Sequence, residues 1–303
     1  MTLRLALGAS RLPSETRQLH GDWIVAQQRD DGGFAGREGG SDPYYTAFGL
    51  RSLWILDRLD KDIATRAGEF LRARIDGRDS IIDAISLVFA AAICELAQGV
   101  VVLPDEDDWR NNFANLIETL RTSDGGYAKS PEGKAGSTYQ TFLNLLCLQL
   151  IDRMPSDIDP IVDFIQSQLQ PEGGYREIRA AKRAGVNPTA AAVGTLKVLD
   201  RLDPAIAEET SEFIADLHTS EGGLTANTRI PFADLLSTFT GNLTLIDLGA
   251  GSLVQESATR RYAYSMQSAE GGFHGFALDQ ETDVEYTFYG VSALSLLETL
   301  EFS

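Results

Sequence analysis

A motif made of an acidic residue, two glycines and a large apolar residue recurs along this chain and constrains its fold more than any other feature. The second glycines of the five copies are Gly33, Gly126, Gly174, Gly223 and Gly272. The last four copies lie roughly 48 residues apart, and the first interval is about twice as long. The segment that begins at Arg74, with Gly77 as its turn glycine, fits that gap as a degenerate copy. We therefore predict one domain over residues 1–303, built from six repeats of roughly 48 residues.

Each repeat has the pattern of a helix pair. A threonine follows the apolar residue of the motif by 12 residues in the first copy and by 14 in the other four, and it opens an apolar run. The residues four and seven positions after the threonine are aliphatic except at Asn242, a spacing typical of an amphipathic helix. A second helical run precedes each Gly-Gly pair, and the β-branched alternation of strands is absent. The sequence therefore predicts an all-α fold of tandem helix pairs.

Charge and cysteine content narrow the function classes. A net charge of −18 opposes binding to nucleic acid and to anionic membrane surfaces, so we expect neither partner. No apolar run approaches the roughly 20 residues of a transmembrane helix, and residues 1–13 are too short and too charged for a signal peptide. Cys94 and Cys147 both lie in apolar helical runs, which predicts core residues and a reducing cytoplasm.

The pattern Q-x-x-D/E-G-G-F/Y, followed by a helix that opens with Y-x-T, resembles the repeat of protein prenyltransferase β subunits and of squalene and oxidosqualene cyclases. The resemblance covers nearly the whole chain, and in length the chain is closest to a protein geranylgeranyltransferase β subunit. It implies an α/α toroid, a six-hairpin barrel of about twelve helices, in which the inner helices surround a cavity. The resemblance also implies an isoprenoid ligand. Because such β subunits work beside an α subunit, it further implies a partner subunit.

Comparison of the repeats with one another locates the residues that face the cavity. The positions two before and two after each threonine vary, and because they are four apart they share one helix face. The pairs are Tyr44 and Phe48, Tyr139 and Leu143, Asn187 and Ala191, Leu236 and Thr240, and Glu285 and Tyr289. We expect Tyr44, Phe48, Tyr139 and Tyr289 to contact an isoprenoid or another long apolar ligand. The alternative is that these aromatic rings fill the centre of the ring.

The resemblance also implies zinc, which protein prenyltransferases bind through Asp-x-Cys in one repeat and His in the next. Asp234 matches the aspartate, but Leu236 occupies the cysteine position and Tyr286 the histidine position. We therefore expect no zinc and no other metal site formed by the protein. A diphosphate substrate would still leave room for Mg²⁺ as its counter-ion.

Acid catalysis is a second candidate chemistry. Class II terpene cyclases protonate an alkene or epoxide through the middle aspartate of D-x-D-D-T, and residues 283–287 read DVEYT at the same place. Asp283 is retained, Glu285 replaces the middle acid, and desolvation among aromatic residues would raise the pKa of Glu285. The alternative is a polar helix N-terminus whose acids are favoured by the helix dipole. A literal D-x-D-D string at residues 105–108 precedes an outer helix, where capping explains it better.

Diphosphate binding is a third candidate. The segment 176–183, REIRAAKR, places four cations in an acidic chain, and in a helix Arg176, Arg179 and Arg183 would share a face. Arg229 lies in the corresponding loop of the next repeat, and prenyltransferases hold the diphosphate in that region. The alternative is solvated charge at the rim, since the match is regional and not residue for residue.

These observations favour a zinc-independent, prenyl-diphosphate transferase-like enzyme with an aromatic lumen. The candidate catalytic residues are Glu285, Asp283, Asp234 and Tyr286. The candidate ligand-binding residues are Tyr44, Phe48, Tyr139, Tyr289, Arg176, Arg179, Arg183 and Arg229. Two alternatives stay open: a class II-type terpene cyclase that uses Glu285 as its acid, and a non-catalytic module that binds a lipid or another subunit.

Overall fold

The apolar run after each repeat threonine forms an inner helix, and the run before each Gly-Gly pair forms an outer one. The computed structural model describes residues 1–75 and 81–300, so the turn predicted at Gly77 lies outside the described residues. The described residues hold thirteen α-helices: α1 (Thr2–Ala9), α2 (Ser14–Ala26), α3 (Pro43–Ile55), α4 (Lys61–Arg72), α5 (Ile81–Gln98), α6 (Asp107–Glu118), α7 (Thr138–Leu150), α8 (Asp159–Gln166), α9 (Val186–Val198), α10 (Pro204–Ala215), α11 (Leu235–Asp247), α12 (Glu256–Ser265) and α13 (Val284–Leu297).

The inner helices close into a ring. Helices α3, α5, α7, α9, α11 and α13 each pack against the next, and α13 packs against α3. The other member of each pair, α2, α4, α6, α8, α10 or α12, precedes its inner helix in the chain and lies on the outside. This arrangement confirms the predicted all-α toroid. The thirteenth helix, α1, is additional to the six pairs and packs on α13 and α3.

Short extended segments and one 3-10 turn complete the described fold. Strand β1 (Leu224–Thr225) pairs antiparallel with β2 (Ala233–Asp234), and β3 (Phe273–His274) pairs in the same way with β4 (Thr282–Asp283). Each pair holds the two ends of a rim loop together, the rim loops being the segments that connect each Gly-Gly pair to the next inner helix. The 3-10 turn is Gly251–Leu253, between α11 and α12.

The Gly-Gly pairs join neighbouring repeats. Gly32 has a φ of +88°, a left-handed conformation that favours glycine, and a Cβ added there would lie 2.2 Å from the carbonyl oxygen of Arg66 on α4. A Cβ on Gly33 would lie 2.6 Å from the ring of Phe70, also on α4. The last pair has the same relation to the first outer helix, because a Cβ on Gly272 would lie 2.8 Å from Trp23 of α2. The glycines therefore position each repeat on the next and close the ring.

The repeat threonines have a structural role. The hydroxyl oxygen of Thr46 accepts a 3.0 Å hydrogen bond from the backbone N–H of Phe34, whose ring is fully buried. The same bond joins Thr141 to Tyr127, Thr189 to Tyr175, Thr238 to Leu224, and Thr287 to Phe273. A buried backbone N–H needs a partner, and in every visible repeat the threonine supplies it.

The positions predicted as packing positions are buried. Leu50, Leu145, Leu196 and Leu294, each four or seven residues after a repeat threonine, are fully buried. Cys94 and Cys147 are buried free thiols, as predicted, and burial raises the pKa of Cys94 to about 12. No helix among the described residues is long and apolar enough to cross a membrane.

Candidate functional site

A cluster of aromatic and acidic side chains lies on the inner face where α3 meets α13. We call Tyr44, Phe48, Glu285 and Tyr289 the lumen cluster. The hydroxyl of Tyr44 donates a 2.8 Å hydrogen bond to Oε1 of Glu285, and the hydroxyl of Tyr289 donates to the same oxygen at 3.4 Å. The ring of Phe48 lies 5.0 Å from that of Tyr44 and 5.6 Å from that of Tyr289. The structure thus brings together four side chains that the repeat comparison had placed on the inner faces of their helices.

The surroundings of Glu285 favour its protonated form. Burial raises the pKa of the Glu285 carboxyl above its usual value, and the charge of Asp283 acts in the same direction. The hydrogen bonds from Tyr44 and Tyr289 and the charge of Arg37 oppose that shift without reversing it. Both tyrosine bonds go to Oε1, so Oε2 makes no hydrogen bond to a residue in the described part of the chain.

Tyr139 on α7 is a partly exposed inner-helix residue near the lumen cluster. Its side chain is 40% exposed, yet burial is the main cause that raises the pKa of its hydroxyl, followed by the charge of Glu285 on α13. Tyr139 therefore lies near the lumen cluster and is also accessible to solvent. On the neighbouring helices α9 and α11, Thr240 donates a 2.7 Å hydrogen bond to Asn187, which makes that part of the wall polar.

Arg51 is a lumen residue that the repeat comparison missed. Its Cζ lies 5.3 Å from the ring centre of Phe288 and 6.0 Å from that of Phe89. Burial lowers the pKa of its guanidinium, and the phenols of Tyr289 and Tyr139 oppose that shift. The sequence signal existed, because Tyr44, Phe48 and Arg51 follow one another at i, i+4 and i+7 on one helix face.

Asp283 and Asp234 both act as N-cap residues of inner helices. Asp283 accepts a 2.8 Å hydrogen bond from the backbone N–H of Tyr286, and Asp234 accepts one of 2.7 Å from Ser237. Asp234 also accepts 2.8 Å from the Ser237 hydroxyl. The positions identified as candidate acids thus have a local structural function, as the helix N-terminus alternative described.

Arg37 ties the rim loop of the first repeat to that of the last, and sequence reasoning did not find it. Its guanidinium donates to Asp279 at 2.6 and 2.9 Å and to Oδ2 of Asp283 at 2.8 Å. Its Cζ also lies 5.6 Å from the ring centre of Tyr286. With Oδ1 bound to the helix backbone and Oδ2 to Arg37, Asp283 has both oxygens occupied. Glu285 is therefore the acid of this segment that faces the lumen.

Residues 176–183 form an irregular loop, so the helical arrangement in which Arg176, Arg179 and Arg183 would share a face does not occur. Arg176 turns outward and donates 3.2 Å hydrogen bonds to Gln168 and to the carbonyl of Ser167 at the end of α8. Glu177 turns the other way and accepts hydrogen bonds from the Ser137 hydroxyl and, at 3.3 Å, from the backbone N–H of Tyr139. These local bonds hold the loop extended against α7 and α8, which explains the absence of a helix.

Two of the predicted rim cations lie on neighbouring loops. Arg183 donates a 3.2 Å hydrogen bond to the hydroxyl of Thr228, the residue before Arg229. Arg179, Arg183 and Arg229 are exposed, and none forms an ion pair with a residue in 1–75 or 81–300. In so acidic a chain, unpaired arginines are available for an anionic ligand.

The string at residues 105–108 lies on the outer surface, away from the lumen. The capping prediction for it is wrong, since Glu106 is the N-cap of α6 and makes no side-chain capping bond. Asp105 pairs with Arg110 at 2.7 Å and Asp107 pairs with Arg153 at 2.9 Å instead. The string therefore contributes surface ion pairs and no site.

The position that corresponds to the zinc site does not fit zinc. Of its three side chains only Asp234 can ligate a metal well, and its carboxylate already bonds Ser237. Leu236 and Tyr286 lack the thiolate and imidazole that zinc prefers. Among the residues described, no three His, Cys, Asp or Glu side chains gather as a group that could hold a metal ion.

Comparison with known proteins identifies the family. The prenyltransferase alpha-alpha toroid domain matches residues 7–89 and 85–303. The chain belongs to this family. This toroid is 25% identical over 200 residues to the β subunit of protein farnesyltransferase from Pisum sativum. The matched part covers 64% of the chain but only 46% of the pea protein.

Solved structures share the fold of the toroid. The protein geranylgeranyltransferase-I of Candida albicans, in complex with GGPP, superposes with a TM-score of 0.73 at 14% identity, over 94% of this chain and 92% of the other. The type II terpene cyclase MstE of Scytonema, in complex with geranylgeranyl dihydroxybenzoate, superposes with a TM-score of 0.63 at 12% identity, over 99% of both chains. At these identities the likeness concerns the fold.

Proposed function

We propose that this toroid binds an isoprenoid chain in its lumen and acts on prenyl diphosphates as a zinc-independent, transferase-like enzyme. The observation that carries the proposal is the lumen cluster, in which Phe48 and Tyr289 present ring faces and edges beside the carboxyl of Glu285. Aromatic rings offer a long unsaturated chain large contact areas and can stabilise developing positive charge. The polar tips of Tyr44 and Glu285 would orient the end of that chain which reacts.

Charge at the rim supports a diphosphate headgroup. Arg183 and Arg229 lie on adjacent rim loops, and Arg179 belongs to the same segment as Arg183. The diphosphate would bind to these exposed guanidinium groups, with Mg²⁺ as a possible companion, while the chain enters the lumen. In this proposal Asp234, the N-cap residue of α11, and Tyr286, on the first turn of α13, shape the entrance to the lumen.

The proposal extends to a partner and a compartment. The pea relative is a β subunit by name, so we propose that this toroid too works with a second protein chain. Two buried free cysteines agree with a reducing compartment, and we place the protein in the cytoplasm.

A ligand panel tests the proposal through the melting temperature. Geranylgeranyl diphosphate should raise it in a concentration-dependent manner, and inorganic pyrophosphate should raise it less because it lacks the chain. The double variant Arg183→Ala, Arg229→Ala should weaken the response to the diphosphate and leave the response to geranylgeraniol unchanged. The surface variant Arg110→Ala is the matched control. A melting temperature that stays constant with all three ligands would overturn the proposal.

A second candidate function, class II-type cyclisation, is favoured by the burial of Glu285, which raises the pKa of its carboxyl. A proton on Oε2 would pass to a carbon of an alkene or to the oxygen of an epoxide. The aromatic rings would stabilise the resulting cation, and loss of a proton from the product cation would complete an isomerisation. The Scytonema protein of similar fold is a cyclase by name, which makes the assay worthwhile. Incubation with squalene or a polyprenyl diphosphate, followed by mass spectrometry with chromatographic separation, should then reveal an isomer.

Two variants distinguish the outcomes of that assay. Glu285→Gln should abolish the isomer, and Asp105→Asn on the outer surface should not. Ligand binding without any product from wild-type protein would favour the third reading, a non-catalytic module that binds a lipid.

A further inference from the structure

Arg51 places a positive charge deep in the lumen. It follows Tyr44 by seven residues on α3, which puts it about 10 Å further along the helix axis on the same face. In the equivalent position, five residues after the repeat threonine, the other visible repeats have Leu146, Gly194, Leu243 and Ser292. Among the visible repeats, the first is therefore the one that has a charged residue at this position, and that residue is Arg51.

The guanidinium of Arg51 lacks a counter-ion among the described residues. It forms no ion pair there, and its Nε is buried without a hydrogen-bond partner. The groups that face it are the rings of Phe89 on α5 and Phe288 on α13, and the phenols of Tyr139 and Tyr289. The rings stabilise a cation only in part, and a buried charge without a partner is costly.

Tyr139 adds a hydrogen-bond donor at the same place. Its side chain is 40% exposed on α7, two inner helices from α3 in the ring, and its hydroxyl makes no hydrogen bond to a residue in the described part of the chain. The charge of Arg51 acts on the Tyr139 hydroxyl, so the two groups lie near each other. A cation and a free phenol that lie near each other can together bind an anion.

We propose that Arg51 and Tyr139 bind the carboxylate of an isoprenoid acid inside the lumen. The inference rests on the proposed binding of an isoprenoid chain. It concerns acids whose carboxyl end enters the lumen first, the reverse of a prenyl diphosphate, whose headgroup stays at the rim. A carboxylate matches the single charge and the planar donor edge of one guanidinium. A diphosphate would bring more negative charge than one buried arginine can neutralise.

The test compares two ligands that differ only in the group concerned. Wild-type protein should bind geranylgeranoic acid at least about tenfold more tightly than geranylgeraniol at pH 7, as measured by isothermal titration calorimetry. Arg51→Met, which keeps the apolar volume, should remove that preference and leave the affinity for the alcohol equal or higher. Arg51→Lys should retain part of the preference, and Tyr139→Phe should reduce it. The exposed Arg201→Met is the control and should bind both ligands as wild type does.

The outcomes are distinguishable. If wild type binds the alcohol and the acid equally, or if Arg51→Met keeps the preference for the acid, the carboxylate site is wrong while the isoprenoid lumen stands. If wild type binds neither ligand, the isoprenoid lumen and the carboxylate site are both wrong. Circular dichroism of each variant checks that it is folded, and loss of an unpaired buried charge should leave Arg51→Met at least as stable as wild type.

Discussion

Tyr44 on α3 donates a 2.8 Å hydrogen bond to Glu285 on α13, and so joins the first repeat to the last through the candidate site itself. The two residues are 241 positions apart in the chain, and they meet because α13 packs on α3. The lumen cluster therefore exists only in the closed ring. Interactions that close the ring and interactions that form the site are consequently linked, and most of the following predictions depend on that link.

Glu285→Gln should stabilise the protein at neutral pH. Burial raises the pKa of Glu285 above 4.5, so the folded protein retains a proton that the unfolded chain releases, and the free energy of unfolding falls as pH rises from 4.5 towards the folded pKa. Glutamine removes that titration and still accepts from Tyr44. We expect a gain in the free energy of unfolding at pH 7 that vanishes below pH 4.5, measured by urea denaturation. The exposed Glu172→Gln is the control, and an equal effect at both pH values would contradict the prediction.

Arg37→Met should destabilise the ring at its closure. Asp283, whose side chain is 8% exposed, would lose the cation that binds its Oδ2, and Asp279 would lose a bidentate partner. We expect a loss of about 1 to 3 kcal/mol in the free energy of unfolding, because a carboxylate is left buried with fewer partners. Arg110→Met breaks an ion pair of the exposed Asp105 and should cost less than about 0.5 kcal/mol. Similar losses for the two variants would show that Arg37 has no special role.

The ion pair of Arg37 also predicts an acid dependence. Burial of Asp279 tends to raise its pKa, but hydrogen bonds from Arg37 and from backbone N–H groups outweigh it and lower the pKa below 3.8. A carboxylate with a lowered folded pKa contributes stability above the unfolded pKa and loses it as pH falls. The cost of Arg37→Met should therefore be largest at neutral pH and shrink below about pH 4. A cost that is the same at pH 3 and pH 7 would argue against the pair.

A repeat threonine should contribute more to the free energy of unfolding than the size of its side chain suggests. Thr141→Val removes the acceptor for the backbone N–H of Tyr127, which is fully buried. We expect a loss of about 1 to 3 kcal/mol, the cost of a buried unpaired donor. Thr65→Val on the exposed face of α4 is the matched control, and its hydroxyl bonds only the carbonyl of Lys61. Equal stabilities of the two variants in a denaturant titration would contradict the structural role.

His20 should remain neutral at pH values well below the usual pKa of histidine. It is fully buried on α2, its Nδ1 accepts a 3.1 Å hydrogen bond from the N–H of Gly272, and burial lowers its pKa from 6.5 to about 4. Between those values the unfolded chain binds a proton that the folded protein does not, so stability should fall as pH drops from 6.5 to 4, by about 3 kcal/mol in total. An imidazole resonance assigned to His20 that titrates near pH 6.5 in an NMR experiment would contradict this.

The fold could be predicted from sequence because the same repeat occurs in several recognisable copies. The Gly-Gly spacing and the aliphatic positions after each threonine recur in five copies, so errors in one copy are corrected by the others. The same comparison placed Tyr44, Phe48, Glu285 and Tyr289 on inner faces, where the structure brings them together. It could not predict the extended loop at residues 176–183, because Glu177 is held there by α7, a contact that no local propensity encodes.

Residues that occur in one repeat only were the ones missed. Arg37 acts through Asp279 and Asp283, more than 240 positions away, and nothing near Arg37 in the chain indicates that pairing. Arg51 was within reach of the comparison, since it continues the face of Tyr44 and Phe48. Arg51 lies five residues after Thr46, between the packing positions at four and seven and beyond the variable positions two before and two after the threonine. The distinctive chemistry of this ring lies in such departures from its own repeat.

Photo-crosslinking with a benzophenone-bearing analogue of geranylgeranyl diphosphate tests most directly whether the lumen holds the isoprenoid chain. After irradiation and proteolysis, mass spectrometry should locate the label on the inner-helix peptides that contain Tyr44 and Phe48 or Tyr289. An excess of unlabelled geranylgeranyl diphosphate should abolish it, and Phe48→Ala should reduce it. Labelling confined to the outer helices, or unaffected by the unlabelled ligand, would contradict an isoprenoid-binding lumen.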